Sequence, residues 1–221
     1  SHGYTVISVG LSQQLSGTTA AALQAAGRDN TGDVRVIDSL SATAGEGLLA
    51  MIAAEAAMKG LGADEVEAVL REMIPRTRVV GVVDDLTYAV KGGRVPAWVK
   101  RVADFLRINP VLTANPEGKM GLSGFHPGKG ASPARLARTV VKKMKPDVMY
   151  RVLVAHANNE VAAKATRQHI LERHGRIHSC HITEAGPALG VHFGPGGLIV
   201  GFAPQPRVLG LSEPDRMKHH D

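Results

Sequence analysis

The sequence predicts an α/β protein built from two units. In the first half, apolar runs rich in β-branched residues alternate with segments whose apolar residues recur at helical spacing. This alternation favours crossover connections and a partly parallel sheet with flanking helices. A hairpin pattern around residues 115–118 then favours a second α/β unit with a mixed or antiparallel sheet. We therefore predict domains at residues 1–106 and 107–204, followed by a loose tail at residues 205–221.

The elements of the first half follow from this periodicity. Residues 4–9 (YTVISV) form a β-branched run before Gly10, and an alanine-rich helical segment follows at residues 20–26. The elements predicted after these are a strand at 34–37, a helix through 48–56, a helix that starts at Ala63 and runs to Met73, and a strand at 78–83. Pro75 closes the last of these helices, because proline cannot continue a helix interior.

The second half begins with the predicted hairpin, whose strands at residues 107–113 and 120–125 flank an Asn-Pro-Glu-Gly turn. The elements predicted after it are a helix at 133–144, a strand at 150–155, a helix at 160–174 and strands at 177–182 and 198–202. The glycine-rich segment at residues 190–197, which contains His192, is predicted to be a loop before the last strand.

Composition places the chain among ordinary globular proteins. Of its 221 residues, 44% are hydrophobic and 21% are charged. No apolar run reaches the roughly 18 residues that a membrane span needs, so we expect no stable membrane insertion. The single cysteine, Cys180, cannot form an intrachain disulfide, which fits a cytoplasmic location.

The net charge of +6 and the pI near 9.7 raise the possibility of nucleic-acid binding. The basic residues are spread along the chain, and the densest group, at residues 142–145, ends a predicted helix, where cations interact favourably with the helix dipole. Aromatic residues make up only 4% of the chain, so few side chains are available to stack on bases. We therefore predict no nucleic-acid partner.

The turn between the first strand and the first helix has the composition of an anion site. It carries Ser12, Ser16 and Thr18 directly before the alanine-rich helix. A helix N-terminus presents unpaired N–H groups and a partial positive charge, and the hydroxyls can add hydrogen bonds to an anionic head group. The alternative is that Ser16 only caps this helix.

Catalysis is not predicted. Ser12 or Ser16 with His192 can be drawn as a nucleophile and a base, but the chain has no Gly-x-Ser-x-Gly elbow, P-loop or G-x-G-x-x-G fingerprint. Hydroxyls, a glycine-lined segment and one histidine suit the binding of a carboxylate, with Gly194 allowing close approach of the backbone. The alternative for His192 is a loop histidine bonded to the backbone.

Two further groups raise the possibility of metal binding. Histidines 169, 174, 178 and 181 lie near Cys180, but their spacing fits no standard zinc pattern. Asp84 and Asp85 are adjacent, but Asp85 is also well placed to cap a short helix at residues 86–90. We predict no metal site and favour the capping role.

Five motifs together resemble the DegV family of bacterial fatty-acid-binding proteins. In chain order they are LSGT at 15–18, VIDS at 36–39, DDLTYAVKGGRV at 84–95, INPVL at 108–112 and GVHFGPGG at 190–197. Their order and spacing are similar to those of the family, and they span nearly the whole chain.

The resemblance implies that a long-chain fatty acid lies in an apolar tunnel between two α/β domains. In similar proteins the serine-bearing loop and the histidine of H-x-G-P-G contact the carboxylate. The residues implied here are Ser12 or Ser16, Gly17, Thr18, His192 and Gly194. If Ser16 caps its helix, Ser12 is freer to face the ligand, and the sequence leaves this choice open.

The resemblance further implies a carrier without catalysis or cofactor. Such a protein presents the fatty-acid carboxylate to a fatty acid kinase subunit, or to a fused kinase-like domain, and its basic surface suits an acidic partner. The alternative is a module of a kinase-like or phosphosugar-binding system, which holds the phosphate of a small metabolite at the same helix N-terminus.

Two departures from the family pattern lead to further expectations. The family's Asp-Ser strand end and Thr-Ser-x-Pro loop do not occur before Tyr4, and Ser1-His2 resembles a cloning remnant. We therefore expect a fragment that lacks the family's N-terminal segment. Where the family carries an arginine after the hairpin, this chain has Gly124-Phe125-His126, so we expect weakened head-group binding.

Overall fold

Two sheets of different size organise the computed structural model, which describes residues 4–28, 33–93, 95–128 and 130–210. The strands are β1 (Thr5–Gly10), β2 (Asp33–Asp38), β3 (Arg78–Val82), β4 (Ile108–Ala114), β5 (Met120–Pro127), β6 (Tyr150–His156), β7 (Ile177–Glu184) and β8 (Leu198–Pro204). The helices are α1 (Thr18–Arg28), α2 (Ala44–Met58), α3 (Ala63–Met73), α4 (Thr87–Lys91), α5 (Ala97–Leu106), α6 (Pro133–Val141), α7 (Glu160–Arg173) and α8 (Pro187–Phe193). Among the described residues, no helix has both the length and the apolar character that crossing a membrane requires.

The smaller sheet is the parallel pair β1–β2. Its register runs from Thr5 opposite Asp33 to Gly10 opposite Asp38. Helix α1 connects the two strands, and a helical crossover returns the chain in the same direction. The predicted strand–helix–strand unit is therefore confirmed.

The larger sheet has six strands in the order β5-β4-β3-β8-β6-β7. Strand β3 pairs antiparallel with both β4 and β8, and β6 pairs parallel with β7 and antiparallel with β8. Antiparallel pairing thus begins at β3, earlier than the hairpin at which we expected it. After its first residue β3 is buried throughout, and a strand covered on both faces shows the same continuous apolar run in either pairing.

The predicted domain boundary at residue 106 cuts through this larger sheet. Strand β3 precedes the boundary, whereas its partners β4 and β8 follow it. The division between the two sheets lies between β2 and β3 instead. Helix α2, from the first half, also packs on β8, so chain segments from both sides of residue 106 share one core.

Alternate residues of β8 point to two apolar clusters on opposite faces of the larger sheet. Ile199 and Ala203 pack with α2 and α3, while Leu198, Val200 and Phe202 pack with α6 and α7. A third cluster joins α4 and α5 to β4, and it includes Val83, Ala89, Val95, Val99 and Leu112. This third cluster forms part of the candidate site.

Two predictions at the C-terminal end are wrong. The predicted loop at 190–197 begins inside helix α8 (Pro187–Phe193), which is followed by its C-cap residue Gly194 with φ of 65°. Glycines and a proline in this stretch gave it the signature of a loop, although proline is favourable at the first position of a helix. The tail does not loosen at residue 205, because Leu209 is 1% exposed within the core under α2 and α3. Residues 211–221 lie outside the described part of the chain.

The closest backbone approach between α2 and the larger sheet occurs at Gly201. A Cβ atom there would lie 2.5 Å from the carbonyl carbon and oxygen of Ala44, and backbone atoms cannot rotate away. We expect Gly201→Ala to lower the free energy of unfolding by about 1 to 3 kcal/mol, as overpacking does in cores. The control is Gly81→Ala on β3, where the nearest atom would be 3.4 Å away. A melting temperature of Gly81→Ala that is equal to or lower than that of Gly201→Ala would contradict this packing.

Candidate functional site

A cavity of about 250 Å³ lies where the loop after β1 and the start of α2 meet α4, β4, β5 and α8. Its apolar lining consists of Leu11, Leu15, Ala42, Val83, Ala89, Val95, Leu112, Met120, Ala188, Leu189 and Phe193. The polar residues that line it are Ser16, Thr18, Thr43, Glu46 and His192. A largely apolar cavity with a few polar groups is the usual form of a small-molecule site.

The apolar lining continues beyond this cavity. A second cavity of about 200 Å³ is lined by Pro96, Trp98, Val99, Gly121 and Leu122, together with Val95, Leu112 and Met120. The last three residues line both cavities. The two spaces therefore adjoin, and the side chains that form their shared wall are all apolar.

Ser16 and Thr18 are held at the start of α1. Their hydroxyl oxygens lie 2.8 Å apart in a hydrogen bond, and the Thr18 N–H donates to Ser16 Oγ at 3.3 Å. The buried Thr19 hydroxyl donates to the Leu11 carbonyl at 2.5 Å, which fixes the helix to the end of β1. Ser16 thus supports the first turn of α1 and also lines the cavity.

Ser12 has a different position. It is fully buried, its N–H donates to the Ser41 carbonyl at 2.7 Å, and its Oγ accepts from the Gln14 N–H at 3.2 Å. The β4–β5 turn covers it, because a Cβ atom on Gly118 would overlap the Ser12 hydroxyl. Ser12 does not line the cavity, and of the two serines only Ser16 does.

His192 lies in the last turn of α8, and its ring packs against Gly92, the residue that ends α4. A Cβ atom on Gly92 would overlap the imidazole. The contact is reciprocal, because Gly194, which ends α8, leaves room for the Tyr88 ring on α4. Among the described residues the buried Nδ1 atom of His192 has no hydrogen-bond partner.

Neither predicted glycine lines the cavity. Gly194 has φ of 65°, a conformation that favours glycine, and its absent side chain makes the close contact with Tyr88 possible. Gly17 precedes α1, and its carbonyl accepts from the Ala21 N–H at 2.9 Å. Both glycines therefore shape the backbone beside residues that do line the cavity.

Glu46 is a lining residue that the sequence analysis missed. It lies in the first turn of α2, where its carboxylate accepts a hydrogen bond from the Thr43 backbone N–H. Burial raises the pKa of this carboxyl above its ordinary value, against the lowering effect of that hydrogen bond. A signal was present, because Thr-x-x-Glu before an apolar run is the pattern of a capping box.

The model of the family described as "Uncharacterised protein, DegV family" matches residues 1–205. The chain belongs to the DegV family. A DegV domain-containing protein of Streptococcus pyogenes is 30% identical over 193 residues, which cover 86% of this chain and 66% of that protein. The chain thus spans just under two thirds of the length of this relative.

Solved DegV structures have the same fold. The structure of a DegV family protein from Thermus thermophilus, described as showing fatty acid binding, has a TM-score of 0.79 at 25% identity and covers 91% of this chain and 71% of its own. A DegV protein from Eubacterium eligens, loaded with heptadecanoic acid, has a TM-score of 0.76 at 20% identity and covers 91% and 73%. The small parallel sheet and the larger mixed sheet are therefore the DegV architecture.

The DegV motifs surround the cavity. The LSGT motif contributes Ser16 and Thr18, the DDLTYAVKGGRV motif contributes Ala89 and Val95, and the INPVL motif contributes Leu112. The GVHFGPGG motif contributes His192 and Phe193. In the VIDS motif, the Asp38 carboxylate accepts hydrogen bonds from the Gln13 N–H at 3.2 Å and the Leu40 N–H at 2.9 Å, which steadies the loop after β1.

The other groups considered for chemistry lie away from the cavity lining. Asp85 accepts from the N–H of Thr87, the first residue of α4, at 2.8 Å, so its side chain bonds to the start of this helix as predicted, although Leu86 occupies the N-cap position. His174 is 3.2 Å from the Lys145 carbonyl through Nε2 and stacks edge-on against Tyr150. Within the described ranges, no group of three or more histidine, cysteine or acidic residues is arranged to hold a metal ion.

Cys180 provides a test of the core beside β7. Burial raises the pKa of its thiol to about 11, although Arg167 acts in the opposite direction. At pH 8 the thiolate fraction is then about 100-fold below that of a thiol with the ordinary value of 9.0. We expect iodoacetamide to alkylate the folded protein about 100-fold more slowly than the urea-unfolded protein, as followed by intact mass. Equal rates would show that the thiol is open to solvent.

Proposed function

We propose that this protein binds a long-chain fatty acid, with its carboxylate at Ser16, Thr18 and His192 and its hydrocarbon chain in the two adjoining cavities. The observation that carries the proposal is that these three residues line one cavity whose remaining surface is largely apolar. A second apolar cavity, on the other side of the shared residues Val95, Leu112 and Met120, supports a long apolar ligand. The fatty acids described for the Thermus and Eubacterium relatives agree with this chemistry.

The hydrocarbon chain and the carboxylate of the ligand contribute differently to the binding free energy. Each buried methylene contributes about 0.8 kcal/mol, so a buried segment of eight methylenes contributes about 6 kcal/mol. Each head-group hydrogen bond adds a net 0.5 to 1.5 kcal/mol, roughly. The hydrocarbon chain therefore supplies most of the affinity, while the hydroxyls and the imidazole fix the orientation of the carboxylate.

We assign the serine contact to Ser16 rather than Ser12. Ser16 lines the cavity, whereas Ser12 lies buried below the hairpin turn. Gly17 directly before α1 and Gly194 directly after α8 do not line the cavity, and in this proposal they act on the site only by shaping the backbone beside Thr18 and His192. His192, in the last turn of α8, adds a ring nitrogen that can donate a hydrogen bond to the carboxylate.

In this proposal the protein is a cytoplasmic carrier rather than an enzyme, and it needs no cofactor. It presents the bound carboxylate to a fatty acid kinase subunit or to a fused kinase-like domain, which phosphorylates it. The net charge of +6 suits association with an acidic surface. The competing proposal is a small phosphorylated metabolite held at the start of α1, which the neighbouring Ser16 and Thr18 hydroxyls favour.

Native mass spectrometry of freshly purified protein separates these two candidates. A fatty-acid carrier is expected to retain acyl ligands of defined mass, which organic extraction releases. Titration with a sixteen-carbon fatty acid is then expected to give one equivalent bound. A protein that takes up inorganic phosphate or phosphorylated sugars but no acyl chain would support the competing candidate.

Removal of head-group donors tests the assigned residues. We expect His192→Ala and Ser16→Ala each to weaken fatty-acid binding by about 1 to 3 kcal/mol, because a hydrogen-bond donor to a charged carboxylate is lost. The control is His181→Ala, which removes an exposed imidazole from β7. Isothermal titration calorimetry provides the affinities. An unchanged affinity in His192→Ala would remove this residue from the site.

The position of the His192 imidazole against Gly92 can be tested without altering His192 itself. We expect Gly92→Ala to displace the ring and to weaken fatty-acid binding at least as much as His192→Ala does. Gly190→Ala, within α8, is the matched control because a Cβ atom there meets nothing within 4 Å. Binding that is equal in both glycine variants would show that the position of the ring does not matter.

A further inference from the structure

The head-group region of the cavity contains a carboxyl group of its own. Glu46 lines the same cavity as Ser16, Thr18 and His192. It lies within the first turn of α2 and is partly buried. The described residues that line the cavity include no lysine and no arginine. Glu46 and His192 are the titratable side chains among them, from α2 and α8, while the lining from β4, β5, α4 and the loop after β1 adds none.

This arrangement poses an electrostatic problem for an acid ligand. A fatty-acid anion in the cavity would share it with the Glu46 anion. Two carboxylates in one partly buried site repel each other, and the usual result is that one of them keeps a proton. Because His192 can supply at most one positive charge, it cannot neutralise both.

We infer that Glu46 is a specificity-determining residue that binds the ligand's carboxyl group by sharing one proton with it. This inference rests on the proposed function. The bound pair is one carboxylic acid hydrogen bonded to one carboxylate, with a single negative charge in total. When the ligand enters as an anion and Glu46 is ionised, one proton is taken from solvent. When Glu46 is already protonated, none is needed.

The environment of Glu46 favours this state. Burial raises the pKa of the carboxyl, so the neutral form is stabilised in the folded protein. The upward shift of the Glu46 pKa determines the pH dependence. Glu46 is protonated below the ordinary value of 4.5, and it loses its proton as pH rises through the raised pKa. Affinity for the acid falls over the same interval above pH 4.5, because ionised Glu46 repels the anion.

The structural role of Glu46 does not require a charge. Its carboxylate accepts a hydrogen bond from the Thr43 N–H, and a glutamine amide oxygen accepts the same bond. Glu65 occupies the equivalent place in α3, where its carboxylate accepts from the Gly62 N–H at 2.7 Å. Glu65 does not line the cavity, so it is a matched control for the loss of a charge in the first turn of a helix.

The test compares Glu46→Gln with the natural chain and with Glu65→Gln. Dissociation constants are measured from pH 5.5 to 8.5 for a sixteen-carbon saturated fatty acid and for the primary alcohol of the same length. We expect Glu46→Gln to bind the acid about tenfold more tightly than the natural chain at pH 8.5, because a repulsion between two carboxylates that is equivalent to one pKa unit changes the affinity tenfold. The curves are expected to converge toward pH 5.5, and Glu65→Gln is expected to follow the natural chain.

The alcohol distinguishes an effect of the ligand's charge from an effect of its shape. It carries no negative charge, so Glu46→Gln is expected to change its affinity less than twofold at every pH. Parallel acid curves for Glu46→Gln and the natural chain would overturn the role of Glu46 while leaving fatty-acid binding intact. Absence of binding for both probes in the natural chain would instead overturn the proposed function.

Discussion

The candidate site depends on one buried residue, Ser12, which contacts both the segment before α2 and the turn between β4 and β5. The Ser12 N–H donates to the Ser41 carbonyl, which ties the loop after β1 to the segment that leads into α2. The turn of the β4–β5 hairpin covers the same residue, because Gly118 leaves room for the Ser12 hydroxyl. Two walls of the cavity, from the small sheet and from the hairpin, are thereby fixed to each other. A serine fits here because its hydroxyl is small and finds a partner in the Gln14 N–H.

The sequence predicted local structure well wherever periodicity and turn chemistry agree. The crossover unit at β1–α1–β2 and the hairpin at Asn115–Lys119 are such cases, and the Asn115 side chain accepts from the Lys119 N–H at 2.8 Å. The pairing of β3 was beyond reach, because burial on both faces removes the alternation that distinguishes strand environments. Helix α8 was missed because Gly186, Pro187 and Gly190 resemble loop residues until the tertiary context orders them.

The candidate site, like the fold, could be predicted from the sequence only in part. Motifs identified Ser16, Thr18 and His192 as candidates, and the fold brings all three to one cavity. The burial of Ser12 away from the cavity could not be predicted, because it depends on the hairpin turn at Gly118, a contact across more than 100 positions of the chain. Glu46 was missed because its Thr-x-x-Glu pattern signals the start of a helix and gives no indication of a ligand. Only the packing of α2 beside α8 and the loop after β1 reveals that it shares a cavity with the hydroxyls.

The reciprocal seating of α4 and α8 has a mechanical consequence. Gly92 accommodates His192 and Gly194 accommodates Tyr88, so each helix ends in a notch that holds a ring from the other. A glycine has no side chain that could rotate to let one helix slide past the other. The two helices therefore move as one unit. Any change in the width of the cavity on that side moves the His192 imidazole together with α4.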